Sequence, residues 1–212
     1  MPDVETGIVA ISGHRVYPDR AALYRGLDTM RARHYYFGGA RGVDTDALEY
    51  LGKTQPGSVR TVVVPNRLID QPVATRAITK RYASNIVELK NSGANRFMIR
   101  NRFMVDKAHK LNAFYDFRGR GGTYNTIEYA KTKGKLGVVN PLRNFNFNEF
   151  KGMSKTRFHT TIKQMKGYKM NLSSIKMIIV RMIIQVFGMT IRAFFRLFGY
   201  VGVNTVEQFW SY

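Results

Sequence analysis

Three short stretches carry the residue types that hold an anion: Ser12-Gly13-His14-Arg15, Gly38-Gly39-Ala40-Arg41-Gly42-Val43-Asp44, and Arg118-Gly119-Arg120-Gly121-Gly122-Thr123. Glycine lets the backbone approach a ligand closely or adopt positive φ. A helix that starts just after such a turn aims unpaired N–H groups and its dipole at whatever sits there. A phosphate is the natural guest. The same letters also spell an ordinary strand-to-helix turn whose glycines only satisfy geometry, and His14 and Arg15 read either as phosphate or base contacts or as solvated loop residues.

The elements that must position these turns follow from apolar runs and their stops. Residues 7–12, 35–37, 59–65, 85–89, 111–117 and 136–140 read as short strands, several of them apolar on both faces as in a buried parallel sheet. Helical patterns follow at about 19–30, 43–51, 73–82, 95–109 and 123–131, the first opened by Pro18 and Asp19. Strand and helix alternate through about 140 residues. The pattern predicts an α/β domain with an open, parallel, Rossmann-like sheet and helices on both faces. Its carboxyl-end loops then share one crevice, which receives all three glycine turns.

Composition limits the partners. Lys and Arg number 34 against 14 Asp and Glu, a net charge of +20, which favours polyanions such as nucleic acid, anionic lipid or an acidic protein surface. There is no cysteine, and the four histidines (His14, His34, His109 and His159) show no metal-ligand spacing, so neither a metal nor another cofactor is expected. The first seven residues include Asp3 and Glu5 and lack the basic and long apolar regions of a signal peptide, which predicts a cytoplasmic protein.

The order of the motifs, with a basic helix between the second and third and Glu128 after Gly121-Gly122-Thr123, resembles the SLOG superfamily of Rossmann-like nucleotide-binding domains over about residues 6–142. That superfamily includes the "lonely guy" phosphoribohydrolases, the YpsA-like proteins and the DNA-processing protein DprA. Similarity to the phosphoribohydrolases implies hydrolysis of an N-glycosidic bond in a nucleoside monophosphate. Arg100 and Glu128 would then be catalytic, with Gly39, Gly42, Gly121, Gly122 and Thr123 at the phosphate. The stretch 120–128 departs from that signature at Arg120, Tyr124 and Asn125, which stand where the family has proline, glycine and threonine. Similarity to DprA implies single-stranded DNA binding by Arg96, Arg100, Arg102, Arg118 and Arg120, with Tyr115, Phe117 and Tyr124 as stacking platforms. The same aromatics also read as core and the same arginines as a solvated helix face. Other members bind small nucleotides without turnover. A further reading keeps the fold without a ligand, as a structural protein of a large, virion-like nucleoprotein particle.

After Pro141 the composition changes, which divides the chain into a nucleotide-binding domain at 1–142 and a basic region at 143–212 with an apolar face. Within 172–203, Arg181, Gln185, Arg192 and Arg196 recur at spacings of four, seven and four, so they share one side of a helix. Phe194, Phe195, Leu197 and Phe198 are the apolar anchors. The pattern fits self-association or docking in a larger assembly, a helix lying in an anionic membrane surface, or packing on its own domain. No window of about eighteen residues there is free of charge or a polar break, which disfavours a simple membrane span.

Overall fold

The computed structural model describes residues 7–117 and 119–142. Arg118 of the third turn, and Arg181, Arg192, Phe194, Phe195, Arg196 and Phe198 of the assembly or membrane proposal, lie outside the described residues.

Six strands form one wholly parallel sheet: β1 (Ile8–Gly13), β2 (His34–Phe37), β3 (Val59–Val64), β4 (Asn85–Glu88), β5 (Lys110–Tyr115) and β6 (Leu136–Pro141). Five helices connect them: α1 (Arg20–Asp28), α2 (Val43–Thr54), α3 (Val73–Tyr82), α4 (Arg96–Lys107) and α5 (Gly122–Thr132). The strand order β4-β3-β2-β1-β5-β6 reverses direction at β1. β1 therefore pairs with β2 on one side and with β5 on the other. The expected Rossmann-like α/β sheet is what the chain forms, and its topological switch point lies between β1 and β5.

Alternation along β1 explains the two-sided burial. Val9 and Ile11 belong to a core with Leu23 and Leu27 of α1 and Leu48 and Leu51 of α2, while Ala10, pointing the other way, is equally buried. α1 begins where the Asp19 carboxylate accepts the Ala22 N–H at 2.9 Å, and its Leu23 and Leu27 sit four apart on the inward stripe. Burial of each leucine stabilises by about 2 kcal/mol. α1, α2 and α3 adjoin in sequence, and α4 packs on α5.

Two details go beyond the sequence expectation. A short 3-10 turn at Leu68–Asp70, a stretch to which the sequence assigns no element, precedes α3; it is closed by Asp70 accepting the Arg67 N–H. Pairing between β5 and β6 shifts register between Leu111 and Ala113, and Asn112 Oδ1 repairs the gap by accepting the Val138 N–H at 2.9 Å.

Candidate functional site

The carboxyl ends of β1, β2 and β5 bring the glycine turns to one end of the sheet. The loop after β1 and the turn after β2 are locked together, because the Val43 N–H donates to the His14 carbonyl at 3.0 Å. Gly42 has φ +86°, and a side chain there would collide with the carbonyls of His14 and Arg15. α2 thus uses its first N–H internally. Its Thr45 hydroxyl donates to the Ala40 carbonyl and its Asp44 carboxylate accepts the Ala40 N–H at 3.3 Å.

Asp44 also faces Arg100 of α4, Oδ2 to guanidinium nitrogen at 3.6 Å, with both side chains more than nine-tenths buried. Gly38 makes this possible, since a β-carbon at that position would occupy the space of the Arg100 guanidinium. The pair is poorly satisfied. Arg100 Nε and one terminal nitrogen have no hydrogen-bond partner among the described residues. Burial pushes the Asp44 carboxyl up and the Arg100 guanidinium down, and each charge only partly offsets the other's desolvation. A structural arginine looks different: the Arg60 guanidinium donates to the carbonyls of Tyr82, Gln55 and Ser58.

On the other side of β1 the third turn stays open. Among the described residues, nothing lies within 4 Å of where a β-carbon would stand on Gly119, Gly121 or Gly122, and no side chain caps the start of α5. This open helix start borders a cleft of about 800 Å³ whose lining includes Ser12, Gly13, His14, Arg15, Asp44, Arg100, Arg120, Gly121, Gly122 and Thr123. A second cavity of about 520 Å³ shares Arg15, Ala40, Phe97 and Arg100 with it and adds Gly38, Arg41 and Arg96. At the junction, Phe97 carries the Arg15 guanidinium 5.2 Å from its ring centroid and that of Arg96 at 4.7 Å. An exposed ring flanked by two arginines suits a planar, anionic guest.

Most of the residues singled out by sequence therefore meet around this cleft. His14 is held there rather than loose, with Nε2 2.9 Å from Asp116 Oδ1 and its ring stacked on Tyr115. Gly39 serves the core instead: the space of its missing side chain faces Val62 and Val64. Among the described residues, Arg100 lines the cleft and Glu128 a different cavity. Glu128 accepts from Lys131 at 2.8 Å and lines a separate groove between α4 and α5, as does Asn125. Tyr115 is buried in the core, whereas Tyr124 is half-buried on the wall of the α4/α5 groove. Sequence reading missed Phe97. Its position one residue after Arg96 and three before Arg100 at the start of a basic helix was the available signal.

No family model matches the sequence, and no curated protein matches it. Among solved structures, DNA processing protein A from Helicobacter pylori aligns with a TM-score of 0.51 at 21% identity, over 77% of this chain and 82% of that one. The two share a fold. That structure was described for its single-stranded DNA binding mode, a property of the Helicobacter protein.

Proposed function

We propose that the chain carries a SLOG-type domain that binds single-stranded nucleic acid across the carboxyl edge of its sheet. The observation that carries this reading is the cleft's shape and charge together. Two adjoining cavities form a trough rather than one closed cup, and Arg15, Arg96, Arg100 and Arg120 line it around the exposed Phe97 ring. Phosphates meet arginines and the open start of α5, and a base stacks on Phe97. The fold shared with a single-stranded DNA-binding protein supports the same reading. The separation of Arg100 from Glu128 favours binding over N-glycosidic hydrolysis.

Fluorescence anisotropy of the full-length protein with labelled oligothymidylate, over a series of salt concentrations, tests it. The whole chain carries +20, so salt-dependent binding alone is not diagnostic. The discriminating variant is Arg15→Ala with Phe97→Ala, expected to weaken binding about tenfold or more at constant salt. Unchanged affinity in that variant overturns the proposal. A nucleoside monophosphate that binds tightly and is unaffected by competing oligonucleotide points instead to a small-molecule cleft, for which the 800 Å³ volume is ample.

A further inference from the structure

The groove between α4 and α5 lies outside the cleft at the switch point yet joins it. Its volume is about 790 Å³, and it shares Phe97, Asn101 and Gly122 with the cleft. Phe97 thus borders all three cavities and stands at the bend between the sheet-edge trough and the helix groove.

The groove's walls have a mixed character. Phe97, at 38% exposure, and Met98, at 37%, leave apolar surface in water, and Tyr124 adds an aromatic face. The floor is amide and hydroxyl: Asn101 donates from its amide nitrogen to Thr126 Oγ1 at 2.7 Å, which fixes its carbonyl oxygen as an acceptor not used by that bond. Cations flank the far end, where the Arg102 guanidinium and the Lys133 ammonium sit 5.1 and 5.5 Å from the Tyr129 ring centroid, and the one carboxylate among the described lining residues, Glu128, accepts from Lys131. Tyr129 is itself tethered through its hydroxyl to Asp106 at 2.9 Å. Flat apolar faces, amide edges and flanking positive charge are what an unstacked base and its phosphate require together.

We infer that the α4/α5 groove is a second nucleotide-binding tract, taking the continuation of the same single strand after it turns at Phe97. The inference rests on the reading of the cleft as a single-strand site. The occupant is argued from continuity with that cleft and from the basic flank formed by Arg102 and Lys133. In this arrangement Phe97 stacks the base at the bend, Tyr124 and Met98 receive the next base, and Arg102 faces the phosphate beyond it.

The test is anisotropy with oligothymidylates of increasing length, from about 4 to about 16 nucleotides. Wild-type protein is compared with Tyr124→Ala plus Arg102→Ser in the groove, and with Arg15→Ala in the cleft. Both groove positions are solvent-accessible, and circular dichroism of each variant checks folding. Wild-type affinity is expected to rise in two steps with length. The groove variant should lose the second step, about tenfold, while binding the shortest oligonucleotides as wild type does. Arg15→Ala should weaken every length.

Photocrosslinking with 5-iododeoxyuridine placed at successive positions gives an independent readout, with adducts on Tyr124 or Tyr129 expected from one end of the strand only. An unchanged length profile in the groove variant, with no adduct on either tyrosine, overturns the groove and leaves the cleft standing. Wild-type binding of all lengths by Arg15→Ala overturns the cleft reading. Adducts on Tyr124 that form equally from every position mean an unrelated surface contact and overturn the continuous path.

Discussion

The turn after β2 and the turn before α5 both lead a strand into a helix through glycines, yet the first is filled by the protein and the second is left open. In the first, Gly42 gives way to the carbonyls of His14 and Arg15, and Gly38 to the Arg100 guanidinium. The Asp44 carboxylate, in the first turn of α2, is turned back onto the Ala40 N–H and the Arg100 guanidinium. In the second, no described residue lies within 4 Å of where a β-carbon would stand on Gly121 or Gly122. Glycine therefore marks close approach without saying what approaches. Here one turn closes around an internal anion, and on the proposed reading its neighbour offers the same kind of backbone N–H groups to an external one.

The comparison breaks most decisively at the internal pair. Arg100→Ala leaves Asp44 buried without its cation, and the expected loss is about 3–5 kcal/mol of stability, read from the urea midpoint. Combining it with Asp44→Asn should recover a substantial part of the loss, because the uncompensated charge goes with it; a double variant as unstable as the single would show that packing, not charge, is at stake. Next in size is Gly42→Ala, expected to cost about 2–3 kcal/mol through positive φ and the collision with backbone carbonyls. Stability within 0.5 kcal/mol of wild type (about the scatter of neutral surface changes) would show that the closed turn can open.

Titration sharpens the same contrast. Burial raises the Asp44 carboxyl above its ordinary value of 3.8, so the folded chain keeps that proton to higher pH than the unfolded chain does. The stability this provides is complete below 3.8 and is lost as pH rises through the folded value. Asp44→Asn should remove that downward slope from the curve of urea midpoint against pH. Parallel curves for wild type and variant would assign the slope to another group.

Much of this architecture is legible in the sequence. The β-branched runs at 59–64 and 8–11 and the opening of α1 at Pro18 and Asp19 are local signals, and β1 to β6 and α1 to α5 formed close to where such signals pointed. The long-range pairings were hidden. Arg96, Arg100 and Arg102 lie along one basic helix; Arg100 shares the buried face with Met104, and Gly38 just after β2 leaves room for its guanidinium, while Arg102 stays exposed. Asp44 reads as ligand-facing for the same reason: its position at a helix start is local, whereas its partner comes from α4 across the switch point. Glu128 lines up with a catalytic signature in sequence, but α5 carries it into the other groove beside Lys131.

The smallest stability effect is the most informative about the open turn. Gly122 is the first residue of α5, and no described residue lies within 4 Å of a β-carbon placed there. Gly122→Ala should therefore leave the fold intact and raise stability by about 0.5 kcal/mol, by restricting the unfolded chain. Were the turn merely a connector, binding would be indifferent to the change. If a phosphate rests against the start of α5, the added methyl stands between it and the backbone N–H groups, and oligonucleotide affinity should fall about tenfold while the urea midpoint holds or rises. A variant that is more stable and binds as wild type does would move the anion site away from α5 and leave Arg15 and Arg96 to hold the strand alone.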